Sequence, residues 1–94
     1  MAIHAIAADR GRRVLTFERT EHPDDWRVRS GGLTVGRIYR ARNVNDSAHQ
    51  WFWAINGVHA GPDVMAISGF VSGLDVAKAA IVANWEKWLT WAEL

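Results

Sequence analysis

Two runs of alternating apolar and polar residues, joined by a pair of glycines, constrain the fold of this chain most strongly. The first run covers residues 26–29 and the second covers residues 33–40, with Gly31 and Gly32 between them. Because glycine adopts the positive φ values that a tight hairpin turn needs, the pattern predicts a β-hairpin. Gly36 interrupts the alternation within the second run, which predicts a β-bulge that resets the side chains facing inward.

Three further segments have the character of strands. Residues 14–19 alternate, and a turn that contains Pro23 separates them from the hairpin. Residues 50–56 are apolar on both faces, as is typical of a central strand. Residues 64–68 fit either one more short strand or an extended lead-in to the next element.

The C-terminal part of the chain has the pattern of a helix. Its start, from Ser72 to Asp75, resembles a capping box with an acid in the first turn. Apolar side chains then recur at helical spacing and form one stripe: Leu74, Ala77, Ile81, Trp85, Trp88 and Ala92. We therefore predict an α+β fold, an antiparallel three- to four-stranded sheet with one C-terminal helix packed on one face.

Six tryptophans in 94 residues decide where the core lies, because each ring buries about 200 Å². The predicted core consists of Leu15, Phe17, Trp26, Val28, Val35, Ile38, Leu74, Ile81, Trp85 and Trp88. The exposure of Trp51, Trp53 and Trp91 stays open. Asn84 lies within the apolar arc of the helix, so we predict a hydrogen-bonded core amide that fixes the helix against a loop. The alternative is that Asn84 belongs to a small polar pocket.

Length and composition favour a small protein without a cofactor. A chain of this size supports one domain over residues 1–94, in which residues 1–13 form a flexible N-terminal arm unless the first eleven residues add a short edge strand. It has no cysteine, no signal-peptide pattern and no apolar run of the roughly 18 residues that span a bilayer, so we expect a cytoplasmic protein without membrane contact. No catalytic motif is present, and Asp46 with His49 lacks a third metal ligand. We expect a protein that is not an enzyme.

Charge is distributed unevenly along the chain. Residues 1–42 contain all nine arginines and five acids, whereas residues 43–94 contain two lysines and five acids. The first part therefore carries a net charge of +4 and the second a net charge of −3. This asymmetry predicts a basic surface on a nearly neutral protein.

Strand alternation predicts which face of the sheet is basic. If Trp26 and Val28 point toward the helix, Arg27 and Arg29 point away from it, since neighbouring side chains alternate. Arg37 and Tyr39 follow on the same face, joined either by Phe52 or by Trp51 and Trp53. The candidate binding residues are therefore Arg27, Arg29, Arg37, Tyr39, Arg40 and Trp53.

Arginines and aromatic rings on one surface are typical of nucleic-acid binding, since guanidinium groups contact phosphates and rings stack on bases. We predict a non-enzymatic binding module whose partner is a nucleic acid or an acidic protein. Besides a small-molecule or catalytic site near Asn84 and His49, two other interpretations stay open. One is an ordinary exposed sheet face on which the arginines pair with Glu18, Asp24 or Asp25. The other is a protein-interaction or homo-oligomerisation domain, for example a homodimer, that uses a strand edge or the aromatic end of the helix.

Several motifs carry a resemblance over most of the chain after about residue 14. HPDDW at residues 22–26, VGRIYR at 35–40, WFW at 51–53 and the helix over 77–88 together resemble small alphaproteobacterial proteins of unknown function. This resemblance implies no activity. The order of strands and helix also looks like that of arm-type integrase DNA-binding domains and of double-stranded-RNA-binding domains, a likeness of topology only. The helix has Lys78 alone in its first turns where the RNA-binding family has a lysine cluster, which argues against double-stranded RNA.

Overall fold

The computed structural model describes residues 14–41, 49–58, 60–61 and 63–92. Five strands and one helix lie within these ranges. In chain order they are β1 (Leu15–Arg19), β2 (Asp25–Ser30), β3 (Leu33–Arg40), β4 (Trp51–Ile55), β5 (Ser68–Val71) and α1 (Leu74–Trp91). The predicted arm over residues 1–13 and the loop that contains Asp46 lie outside the described residues.

All five strands form one antiparallel sheet in the order β1-β2-β3-β4-β5, so each strand pairs with its neighbours in sequence. The predicted hairpin is confirmed: β2 and β3 are joined by Gly31 and Gly32, and Gly31 has a φ of 58°. The predicted bulge is also confirmed, because Val28 pairs with Gly36 while Arg29 pairs with Thr34. Val35 is thereby left between two paired residues, and its side chain is buried.

Helix α1 packs on one face of the sheet, chiefly across β4 and with further contacts to β3 and β5. Its buried residues are Ala77, Ile81, Asn84, Trp85 and Leu89. They meet the side chains that β2, β3 and β4 direct toward the helix, among them Val28, Ile38 and Trp53. The α+β fold with a helix on one face is confirmed, with five strands in place of the three or four predicted.

The core contains the predicted residues and several that the sequence analysis left out. Of the ten predicted, Val28, Val35, Ile38, Ile81 and Trp85 are buried, and the other five are partly buried against them. Trp53 is also in the core, at 4% exposure. It packs over Gly69, where a Cβ atom would lie 2.9 Å from the indole Nε1 of Trp53. Position 69 therefore has to be small for the Trp53 ring to lie flat against β5.

Asn84 fixes the helix to the segment that precedes β5, as predicted. Its Oδ1 accepts a hydrogen bond from the backbone N–H of Ala66 at 2.9 Å, and its Nδ2 donates to the carbonyl oxygen of Ala80, also at 2.9 Å. The oxygen and the nitrogen of the buried amide each have a hydrogen-bond partner, so the cost of burying this polar side chain is offset. This contact holds the lead-in to β5 against the middle of α1.

Two local predictions differ from the structure. The predicted capping box is wrong, because the N-cap residue of α1 is Gly73 and no side chain caps the helix; Asp75 does lie in the first turn. Residues 65–67 form no regular element, and the strand begins at Ser68, so the lead-in alternative holds for the segment before it. That lead-in nevertheless contributes Met65 to the core, at 3% exposure.

Candidate functional site

The sheet face opposite α1 has no element packed on it within the described residues, and we call it the open face. Strand pairing and alternation assign to it Thr16, Glu18, Asp25, Arg27, Arg29, Thr34, Arg37, Tyr39, Phe52, Ala54, Ser68 and Phe70. Three arginines and two acids give this set a net charge of +1. The charged side chains lie on β1 to β3, and the aromatic side chains lie on β3 to β5.

The aromatic half of the open face is a row of three rings on three neighbouring strands. Tyr39 pairs with Phe52, and Phe52 pairs with Phe70. The ring centroids are 5.1 Å and 4.9 Å apart along the row, with tilted planes. Phe70 is 49% exposed, whereas Tyr39 and Phe52 are half-buried by their neighbours. The row therefore presents aromatic surface to solvent from the middle of the sheet to its β5 edge.

Arg37 connects the charged half to the aromatic row. Its Nε and Nη2 donate to the two carboxylate oxygens of Asp25, at 2.9 Å and 2.8 Å. The same guanidinium lies 4.7 Å from the centre of the Tyr39 ring, within cation–π range. The hydrogen bonds from Arg37 lower the pKa of Asp25 below its usual value, and Asp25 in turn raises the pKa of Arg37. Arg37 is thus charged, held in place and still 56% exposed at its side chain.

Arg27 and Arg29 share one acid. The Oε1 of Glu18 lies 3.5 Å from Nη1 of Arg27 and 3.8 Å from Nη1 of Arg29. Arg29 also donates from Nη2 to the carbonyl oxygen of Gly32 in the hairpin turn, at 3.0 Å. One carboxylate therefore faces two guanidinium groups, and this end of the open face keeps an excess of positive charge.

Two shallow depressions border the charged side chains. One, of about 250 Å³, extends between Arg27 and Arg37 and is also lined by Asp25, Thr34 and Asn56. The other, of about 270 Å³, lies where β3 ends and is lined by Arg37, Tyr39 and Arg40 together with the turn residues His22, Asp24 and Asp25. Arg40 itself is exposed and follows Tyr39 on the opposite side of the strand. The second depression brings Arg40 to the rim of the open face.

The structure brings five of the six candidate residues together and separates the sixth. Arg27, Arg29, Arg37 and Tyr39 share the open face, and Arg40 borders it. Trp53 lies on the helix face, paired with Ile38, and is buried. In β4, the ring on the open face is therefore Phe52, and the alternative pair Trp51 and Trp53 lies on the other face.

Phe70 is the aromatic residue of this surface that the sequence analysis did not identify. It lies in β5, a strand of four residues in which Gly69 and Ser68 leave no alternating pattern to recognise.

Other features of the described residues bear on what the site can do. No group of three or more His, Asp or Glu side chains that could hold a metal lies within them. No helix in the described ranges combines the length and apolar character needed to cross a membrane. Comparison of the chain with protein-family models, with curated proteins and with solved structures gave no match.

Proposed function

We propose that this protein binds single-stranded nucleic acid on its open face. The observation that carries the proposal is the row formed by Tyr39, Phe52 and Phe70, which lies directly beside the arginines of β2 and β3. Surfaces that bind single strands combine these two features, aromatic rings that stack on bases and cations that follow the phosphates.

The geometry of the row fits consecutive bases. Its rings recur at about 5 Å because neighbouring strands of a sheet are about 4.8 Å apart. The phosphates of one strand in a duplex rise by about 3.4 Å per nucleotide. A single strand that crosses the sheet from β3 to β5 therefore has to be more extended than in a duplex, and each ring then meets one base.

Single strands are favoured over duplexes for a physical reason. In a duplex the faces of the bases are already stacked on each other, so they are unavailable to rings on a flat sheet. The one helix within the described residues packs on the opposite face of the sheet, so the open face presents no helix that could enter a groove. A sheet with exposed rings binds bases that are splayed apart. Because every base has a face that can stack, this binding depends little on sequence.

The arginines supply the attraction to phosphate. Arg27, Arg29 and Arg37 can neutralise roughly two or three phosphates, and each phosphate contributes about −0.7 to the slope of log affinity against log salt for a single strand. We therefore expect affinity to fall about tenfold between roughly 50 mM and 200 mM salt. Glu18 and Asp25 reduce this effect, because a phosphate competes with them for the same guanidinium groups.

The experiment is a titration of the full chain with labelled oligothymidylate of about ten nucleotides, followed by fluorescence anisotropy at two salt concentrations. The matched competitor is a duplex of the same length. We expect tight, salt-dependent binding of the single strand and weaker binding of the duplex. No binding, or an affinity that salt does not change, would contradict the proposal.

A second candidate function is supported by a separate surface. Trp91, in the last turn of α1, is 56% exposed beside a shallow groove that is lined by Val64, Ala83 and Thr90 and by the charged residues Asp63, Glu86 and Lys87. An exposed tryptophan next to apolar surface favours contact with another protein chain, including a second copy of this one. Sedimentation velocity over a wide concentration range tests self-association: a dimer that Trp91→Ala abolishes supports it, and a monomer throughout rules it out.

A further inference from the structure

The pair formed by Arg27 and Arg37 is unusual for two neighbouring strands. The two residues are directly opposite in the β2–β3 register and on the same face of the sheet. Side chains in such positions start about 5 Å apart, and like charges there destabilise the pairing. A sheet that only needed a solvated surface would gain by placing a neutral or acidic residue at one of the two positions.

Acidic partners hold the two guanidinium groups from outside the pair. Glu18 on β1 contacts Arg27, and Asp25 binds Nε and Nη2 of Arg37. Asp25 also borders the space between the two arginines, with both of its carboxylate oxygens bound to Arg37, whereas Glu18 does not line it. The depression of about 250 Å³ occupies this position.

Besides the two arginines, the polar side chains that line this depression are the carboxylate of Asp25 and the neutral groups of Thr20, Thr34 and Asn56. Thr34 offers a hydroxyl group and Asn56 a side-chain amide, and neither side chain has a hydrogen bond to another described residue. Nη1 of Arg37 takes no part in the two hydrogen bonds to Asp25, so it can donate to a ligand. Nη1 of Arg27 lies 3.5 Å from Oε1 of Glu18, which is longer than a strong charged hydrogen bond. Two arginines and one aspartate give the lining a net charge of +1, and guanidinium, hydroxyl and amide donors are the groups that bind the oxygens of a tetrahedral anion.

We infer that this depression is a phosphate site and that it anchors the nucleic-acid strand whose bases lie on Tyr39, Phe52 and Phe70. The second half of the inference rests on the proposed function. From β2 to β5 there are three spacings between strands, about 14 Å in total. One anchored phosphate and three stacked bases therefore fill the open face, and the strand crosses the sheet nearly perpendicular to the β-strands.

The phosphate site is tested without nucleic acid. Inorganic phosphate is titrated into the isotope-labelled full chain, and the Nε–Hε signals of the arginines are followed by NMR. We expect saturable shifts at Arg27 and Arg37. Arg19 is the matched control, because it lies on the helix face with its guanidinium 5.1 Å from the centre of the Trp26 ring. Equal shifts at Arg19, or no shift at any of these arginines in the millimolar range, would overturn the site.

Oligothymidylates of increasing length test the path of the strand and separate this inference from the proposed function. Affinity should rise up to about three nucleotides with a terminal phosphate and then level off, since the open face is then filled. Selective phosphate shifts without oligonucleotide binding would support the phosphate site and overturn the strand path together with the proposed function. Oligonucleotide binding without selective phosphate shifts would overturn the inference alone.

Discussion

Replacement of Gly36 by alanine tests the close approach of β3 and β4 on which the open face depends. A Cβ atom at position 36 would lie 2.5 Å from the carbonyl oxygen of Ala54, and real contacts of this kind are longer than 3.0 Å. The atom that obstructs it belongs to the backbone of a central strand, so it cannot rotate away. The two strands have to separate by at least half an ångström or the bulge has to shift.

The expected cost follows from two opposing effects. Overpacking of this kind costs about 1–3 kcal/mol, whereas Gly→Ala restricts the unfolded chain and stabilises by about 0.4–1 kcal/mol. Gly32→Ala is the matched control in the same hairpin, because nothing lies within 4 Å of its added Cβ and only the stabilising effect applies. We expect Gly36→Ala to be about 2 kcal/mol less stable than Gly32→Ala, a large share of the total for a chain of this size.

Urea denaturation followed by tryptophan fluorescence measures this difference, since Trp53 and Trp85 in the core report on unfolding. With a urea slope of about 1–3 kcal/mol per molar, the midpoints of the two variants should differ by about 1 M. Gly36→Ala should also weaken oligonucleotide binding, because β3 carries Arg37 and Tyr39 and β4 carries Phe52. Equal midpoints for the two variants would refute the strand register described for β3 and β4.

Three further changes have definite expected outcomes. Trp85→Ala should lower the free energy of unfolding by about 3–5 kcal/mol in chemical denaturation, whereas Trp91→Ala should change it by less than about 0.5 kcal/mol, because only the first ring is buried. Asn84→Ala should cost about 1–3 kcal/mol in the same assay, since a backbone N–H loses its acceptor, and a loss no larger than that of Trp91→Ala would contradict this. Because Arg37 lowers the pKa of Asp25, the pair stabilises the fold above the unfolded pKa of this carboxyl, and the contribution is lost as pH falls through the lower folded pKa. Asp25→Asn should therefore be less stable than wild type at neutral pH and equal to it in strong acid, as measured by unfolding at both pH values; a constant difference would show that the charge plays no part.

The fold was predictable wherever local chemistry decides the structure. Gly31 and Gly32 indicated a turn that needs a positive φ, and Gly36 indicated the bulge, because both signals depend on the backbone alone. The helix stripe was equally clear, and Asn84 within it indicated a hydrogen-bonded contact. The N-terminus of the helix was mispredicted. Serine is a favoured N-cap residue, but the N-cap of this helix is Gly73 and not Ser72.

The site was less predictable because β4 and β5 lack an alternating pattern of apolar and polar residues. In β4, Trp51, Phe52 and Trp53 are all large and apolar, so only the register with β3 decides which ring faces solvent. Ile38 opposite Trp53 places that ring in the core. The position of Phe70 on the open face also follows only from strand register. Its strand, β5, is defined by pairing with β4, and its own four residues show no strand pattern.

The central claim is that the aromatic row on the open face binds the bases of a single strand. Its most direct test compares the affinity of oligothymidylate for wild type, Phe70→Ala and Trp91→Ala by fluorescence anisotropy. Phe70 and Trp91 are similarly exposed, at 49% and 56%, so loss of general apolar surface affects both variants alike. A stacked base contributes about 1–3 kcal/mol, so Phe70→Ala should weaken binding by roughly 5- to 150-fold while Trp91→Ala leaves it unchanged. Equal affinities for Phe70→Ala and wild type would contradict the claim.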